Sequence, residues 1–181
     1  MALEQTRLSG YLRSVGVALL SAGYLSGSPA VYCADAADDN SFLDGLQGSW
    51  VMSGTLGGKP VRYRADGQRV LQGGFIELHM IDVASPPRYE ADVFIGFDPK
   101  AHDYIAHWLD RFGAAGARVV AQGKRVGEQL VITFPYADGP FRDTFTWQPS
   151  TKSWTLLLES QAADGGWSTF ASYTLTRDTA P

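Results

Sequence analysis

From residue 48 onward, apolar and polar residues alternate in short stretches that are separated by turn-forming residues. Alternation of this kind is typical of β-strands with one buried face, and the same region shows almost no helical periodicity. Each intervening segment contains glycine, proline or aspartate, as expected for tight turns. The pattern predicts ten strands, which span residues 48–56, 60–65, 69–81, 89–97, 103–109, 117–123, 128–134, 141–148, 153–160 and 167–177.

The connections between these strands decide how the sheet is arranged. None is long enough to hold the helix that a parallel crossover needs, so neighbouring strands should be antiparallel. Ten antiparallel strands in chain order either leave two exposed edges or close on themselves, and closure removes edges that would pair with other chains. The chain is therefore predicted to be all-β, a single antiparallel up-and-down β-barrel of about ten strands, in preference to a sandwich.

Short turns also predict which side chains point into the barrel. Residues directly opposite each other in a hairpin share a face of the sheet, and this rule puts a set of aromatic side chains on the inner face. We predict that five of them bind a ligand: Tyr104, Trp108, Trp147, Trp154 and Tyr173. The alternative is that they fill a solid core, since small barrels are often packed with side chains.

The first 36 residues differ in kind from the rest. Arg7 and Arg13 precede an apolar run at residues 15–25, and residues 34–36 read Ala-Asp-Ala. A basic segment, a short apolar core and an Ala-x-Ala site are typical of a secretory signal peptide, and the run is too short for a membrane span. We expect an exported protein, periplasmic or extracellular, with no transmembrane segment in the mature chain. An N-terminal anchor or a disordered leader is the alternative.

The chain then divides into a signal peptide (1–36), an N-terminal linker and lid segment (37–45) and the barrel domain (46–178). The only cysteine, Cys33, precedes the expected cleavage point. It could be lipidated, although Tyr32 stands where a lipoprotein site has a small side chain. The net charge is −4 at pH 7 and no run of basic residues occurs, which argues against nucleic-acid binding.

Gly48, Trp50 and Arg177 stand at the two ends of the barrel sequence. In a closed antiparallel barrel with an even number of strands, the end of the last strand lies beside the start of the first. Arg177 should then stack on the Trp50 indole, within about 6 Å of the ring centroid, and donate hydrogen bonds to carbonyl groups of residues 42–48. Gly48 would let the backbone approach closely. We therefore predict that these three residues close the barrel.

Gly48-x-Trp50 with a late Arg177 resembles the signature of the lipocalin-like (calycin) superfamily. Residues 46–177 resemble more closely a family of bacterial lipocalin-like domains of unknown function. The matching pieces are "LQGSW", "RVLQGGFIE", "IGFDPKAHDYIAHWLD" and "YTLTR". The resemblance implies a secreted or periplasmic β-barrel and no established reaction.

Candidate catalytic chemistry is sparse. Glu77 and His79 alternate in one strand and could form a general acid–base pair or part of a metal site, but two such residues without a third ligand favour a structural role. No Gly-x-Ser-x-Gly elbow occurs in the barrel sequence, and no histidine follows His107 to ligate haem from the last strands. Asp110 is either a polar recognition group at the barrel rim or a turn carboxylate. The sequence predicts no catalytic residue, metal or cofactor.

Three hypotheses about function follow. By analogy with the superfamily, the barrel binds a small, largely apolar molecule in its lumen. Alternatively it is an enzyme of isomerase or hydrolase type that uses the barrel cavity with His79 and Glu77. The third hypothesis is a packed barrel that acts as an interaction module. The volume of the lumen and the direction of the two side chains distinguish them, whereas the oligomeric state cannot be read from the sequence.

Overall fold

The computed structural model describes residues 36–179. The predicted signal peptide, apart from its last residue, lies outside the described residues, as does Cys33. The strands are β1 (Gly48–Leu56), β2 (Lys59–Val70), β3 (Phe75–Asp82), β4 (Glu90–Asp98), β5 (Asp103–Asp110), β6 (Val120–Val126), β7 (Gln129–Phe134), β8 (Phe141–Gln148), β9 (Ser153–Gln161) and β10 (Trp167–Arg177). A helix, α1 (Ala36–Phe42), and a 3-10 helix (Leu43–Leu46) precede them, and a second 3-10 helix (Leu71–Gly73) joins β2 to β3.

Each strand pairs antiparallel with its neighbours in the chain, and β1 pairs with β10 to close the barrel. The seam runs from the Trp50–Arg177 pair to the Leu56–Ala171 pair. The prediction of an all-β, up-and-down barrel of about ten strands is confirmed. Within the described residues, closure leaves no long strand edge free for pairing with another chain.

Inward and outward side chains alternate along the strands as the sequence pattern predicts. In β3, Ile76, Leu78 and Met80 are buried, whereas Glu77 and His79 are half-exposed between them. Hairpin pairing carries the inner face from one strand to the next. Phe97 pairs with Tyr104 and Trp147 pairs with Trp154, so these aromatic side chains share the inner face.

One predicted turn is wrong. The predicted strand 60–65 leaves Asp66 and Gly67 in a turn, but β2 continues to Val70. Gly67 is buried, and a Cβ atom at this position would overlap the carbonyl oxygen of Leu46. The glycine therefore permits a close backbone approach rather than a turn. The predicted strand 69–81 is correspondingly two strands, joined by the 3-10 helix that ends at Gly73.

The segment from α1 to Gln47 crosses one end of the barrel, and we call it the lid (residues 36–47). Leu43 and Leu46 of the lid are fully buried in the core. The lid contacts residues near the starts of β1, β5 and β9, where Trp50, Tyr104 and Trp154 lie. We call the end of the barrel that the lid crosses the lid end, and the opposite end of the barrel the open end. Within residues 36–179, no helix has the length and apolar character needed to cross a membrane.

Candidate functional site

A cavity of about 340 Å³ occupies the open end of the barrel. Residues at the far ends of the hairpins line it, among them Leu56 at the end of β1 and Phe134 at the end of β7. Most of the lining residues are aromatic, and these are Tyr63, Tyr89, Trp108, Phe112, Phe134, Tyr136, Phe141, Phe170 and Tyr173. Of the described residues, the lining includes two acidic ones, Asp110 and Asp143. This end of the barrel is thus a largely apolar pocket with a few polar groups, the usual form of a small-molecule site.

Two of the five predicted ligand-binding residues, Trp108 and Tyr173, line this cavity. Tyr104, Trp147 and Trp154 share the inner face but do not line it, because they lie at the lid end. The Tyr104 hydroxyl donates to the backbone oxygen of Asp39 (2.5 Å), and the Trp154 indole N–H donates to that of Gly45 (3.0 Å). The Trp147 ring packs on that of Trp154, with centroids 5.2 Å apart. The structure therefore places these three aromatics where they support the lid.

A chain of hydrogen bonds crosses the wall of the cavity. The Trp108 indole N–H donates to the Tyr89 hydroxyl (3.0 Å), which donates to Asp110 Oδ2 (3.3 Å). Asp110 Oδ1 accepts from the backbone N–H of Phe112 (2.9 Å), so this residue is both a turn carboxylate and part of the rim. Burial raises the pKa of Tyr89, with a smaller contribution from the Asp110 charge, so the phenol stays protonated as a donor.

Asp143 is the polar group that the sequence analysis missed. It lies in β8 between Ile132 of β7 and Leu158 of β9, and it is 1% exposed. Its Oδ1 accepts no hydrogen bond from the described residues. Burial raises its pKa from 3.8 to about 8, so the carboxyl group is mostly protonated at neutral pH. The sequence contains one sign of this residue. Asp143 and Phe145 are two positions apart in the same strand, so both should point to the inner face of the barrel.

Three phenols share this environment. Burial is the main cause that raises the pKa of each of Tyr63, Tyr136 and Tyr173. The charge of Asp143 raises the pKa of Tyr136 and Tyr173 further, which places the carboxyl group electrostatically close to both. The Tyr63 and Tyr173 rings meet edge to face, with centroids 5.9 Å apart. All three phenols therefore remain neutral at physiological pH, and two of them, Tyr136 and Tyr173, lie close to the buried acid.

The predicted closure residues meet at the lid end. The Arg177 guanidinium lies 3.8 Å from the centroid of the Trp50 ring and donates to the backbone oxygen of Gln47. The Trp50 indole N–H donates to the backbone oxygen of Leu46 (2.8 Å). Gly48 has φ +103°, and a Cβ atom there would overlap the guanidinium. The start of β1, the end of β10 and the lid are thus joined at one point.

Two further arginines hold the lid. Arg69 donates to Asp44 Oδ1 (2.8 Å) and to the backbone oxygen of Asn40 (2.6 Å). The Arg125 guanidinium lies 4.3 Å from the centroid of the Phe42 ring. Neither contact has a short sequence signature, because each joins a strand to a helix far away in the chain.

Glu77 and His79 lie on the outer face of β3 and do not line the cavity. His79 Nδ1 donates to Asp92 Oδ1 (2.6 Å), whereas Glu77 accepts from the Gln68 side chain (2.7 Å). The two residues therefore have different partners. Among residues 36–179, no group of three or more His, Cys, Asp and Glu side chains is placed to hold a metal ion.

The fold and the site together define a closed ten-stranded antiparallel barrel with a lid at one end and an aromatic-lined cavity at the other. This architecture is compatible with a lipocalin-like fold. Comparison with models of protein families finds no match to the chain, and comparison with curated proteins finds none either.

Proposed function

We propose that the protein is a lipocalin-like barrel that binds a small, largely apolar molecule in the cavity at its open end. The cavity itself is the observation that carries this proposal. Its volume of about 340 Å³ lies at the lower end of the range of ligand pockets, roughly 300–1,000 Å³. The lid supports it further, because Leu43 and Leu46 fill the opposite end and leave ligand access to the open end.

The other two hypotheses have less support. A packed barrel would have no space of this size between its inward side chains. An enzyme that uses the cavity with His79 and Glu77 would need these side chains inside, whereas both are on the outer face. The lipocalin-like assignment rests on the Gly48-x-Trp50 and Arg177 resemblance, together with the closed antiparallel barrel.

The first test is binding of N-phenyl-1-naphthylamine, a neutral apolar dye whose fluorescence rises in an apolar site. We expect saturable binding that Trp108→Ala weakens by about fivefold, because the variant removes an aromatic contact of about 1 kcal/mol. Trp167→Ala is the matched control, since Trp167 stacks on Arg142 and does not line the cavity. Equal loss in both variants would count against binding in the cavity, and the absence of saturable binding would favour the packed barrel.

We also propose that the protein is exported, on the basis of Arg7, Arg13, the apolar run and the Ala-Asp-Ala sequence at residues 34–36. N-terminal sequencing of the protein from its own host should begin close to Ala37. Recovery of a cytoplasmic protein that starts at Met1 would contradict export.

A further inference from the structure

We propose that the ligand is an organic cation, an ammonium group carried on an apolar body, and that the Asp143 carboxylate is its counter-ion. This inference rests on the proposed function, since it names the class of molecule that the same cavity takes. Three features of the cavity support it: the unpartnered acid, the charge of the lining and the nature of the surrounding rings.

The first feature is the position of Asp143. Its side chain lies in the cavity wall with 1% of its surface exposed, and its Oδ1 receives no hydrogen bond from the described residues. Buried polar atoms in folded proteins nearly always have a partner, because leaving one without a partner is costly. A ligand that brings a positive charge or a donor to this wall would supply the missing partner.

The second feature is the sign of the charge around it. The lining contains Asp110 and Asp143 and, among the described residues, no lysine, arginine or histidine. A fatty acid or another anion would therefore meet two carboxyl groups and no counter-ion. A cation would instead be attracted to both carboxyl groups, that of Asp143 deep in the cavity and that of Asp110 at the rim.

The third feature is the aromatic lining. The faces of aromatic rings carry partial negative charge and attract ammonium groups, most strongly where water is excluded. Tyr63, Tyr136 and Tyr173 line the same cavity as the buried acid, and burial keeps these phenols protonated and neutral. The rings can thus surround the alkyl groups of an ammonium ion while the carboxylate balances its charge.

The proton balance of binding follows from these groups. Before a cation binds, Asp143 is a carboxylic acid at neutral pH, because burial raises its pKa to about 8. When a permanent cation binds, the acid releases its proton to the solvent and the carboxylate pairs with the cation. Binding then releases a proton below about pH 8 and none above it, so the affinity for the cation should rise with pH up to about 8 and become constant. The two phenols that the Asp143 charge affects, Tyr136 and Tyr173, do not supply a proton in this range, because burial raises the pKa of both.

The test compares two probes of the same shape, phenyltrimethylammonium and tert-butylbenzene, which differ in whether nitrogen or carbon carries the three methyl groups. Each displaces N-phenyl-1-naphthylamine from the purified full chain. At pH 8.5 we expect the cation to bind at least tenfold more tightly than its neutral isostere. Between pH 6 and pH 8 the affinity for the cation should rise by up to about tenfold per pH unit, and that for tert-butylbenzene should stay constant.

Asp143→Asn should abolish both the preference for the cation and its pH dependence, while it leaves tert-butylbenzene binding in place. Glu128→Gln is the control for the loss of one negative charge, since Glu128 is exposed at the lid end. If tert-butylbenzene binds and the cation does not, or if Asp143→Asn keeps the preference, the cation proposal fails and the proposed function stands. If neither probe displaces the bound dye, the cation proposal fails, and the proposed function is then decided by dye binding and its loss in Trp108→Ala. The pH profile of the unmodified protein tests the role of the buried acid without any variant, and an affinity for the cation that does not change between pH 6 and pH 8 would contradict it.

Discussion

Replacing Asp143 with asparagine is expected to raise the free energy of unfolding at pH 8 by several kcal/mol and to change it little at pH 4. In the folded protein the Asp143 pKa is about 8, whereas the unfolded chain has a value near 3.8. Between these pH values the unfolded chain gives up the proton that the folded protein keeps, so rising pH favours unfolding. The unmodified protein should lose up to about 1.4 kcal/mol per pH unit, on the order of 5 kcal/mol in all.

The sign of this effect separates Asp143 from an ordinary carboxylate. Its contribution is fully present below about pH 4, declines as pH rises and is lost above about pH 8. An asparagine has nearly the same shape and does not titrate. Urea denaturation at pH 4, 6 and 8 measures the difference, with Glu128→Gln as the control that should shift little at any pH. A constant difference between Asp143→Asn and the unmodified protein across this range would show that Asp143 is not a buried acid.

Trp50→Ala should destabilise the barrel by about 3–5 kcal/mol, the usual cost of truncating a buried aromatic side chain. Trp50 is fully buried, contacts the Arg177 guanidinium and donates to the backbone of Leu46. Arg177→Ala should cost less, about 1 kcal/mol, since it removes the stacked cation and an exposed donor to the Gln47 carbonyl that water can replace. The double variant should lose less than the sum, because the two residues are in contact.

The chain contains a matched pair for this experiment. Arg142 stacks over Trp167 at 4.1 Å from the ring centroid, much as Arg177 does over Trp50 at 3.8 Å, but Trp167 is half-exposed. Trp167→Ala should therefore cost about 1 kcal/mol or less. Equal costs at the two tryptophans, or additive losses for Trp50 and Arg177, would contradict the role of the closure residues. Denaturant unfolding of the single and double variants provides both comparisons.

Much of the fold could be predicted from strand parity and turns. Buried and exposed residues alternate in β3 because successive side chains of a strand point to opposite faces. Phe97 pairs with Tyr104 because the hairpin between their strands has a short turn. Where the prediction of strands and turns fails, the cause is a contact between distant residues or an irregularity in a strand, and the alternation of residues shows neither. Gly67 resembles a turn glycine, but it serves the approach of the lid. In β10, an irregularity between Thr169 and Ala171 shifts the pairing with β9, so strict alternation does not extend along the whole strand.

The site was less predictable than the fold. The position of a residue in a strand shows whether it points into the barrel, but it does not show how far along the barrel axis the residue lies. Tyr104 and Trp108 share one face of β5, yet four residues of strand separate them by about 13 Å along the chain. That distance places the first under the lid and the second in the cavity wall. Depth depends on the register of all ten strands and on where the lid lies. The inward direction of Asp143 could be predicted from its position in the strand, whereas its lack of a hydrogen-bond partner could not.

The seam between β1 and β10 has a consequence for how the chain folds. It joins the first strand of the barrel to the last, so the barrel cannot close until β10 reaches β1. The hairpins between neighbouring strands can form early from local contacts, whereas the seam must bring together the most distant parts of the chain. Until that step, the facing edges of β1 and β10 are unpaired and open to other chains. The period before the seam forms is therefore the one in which the folding chain is most exposed to aggregation.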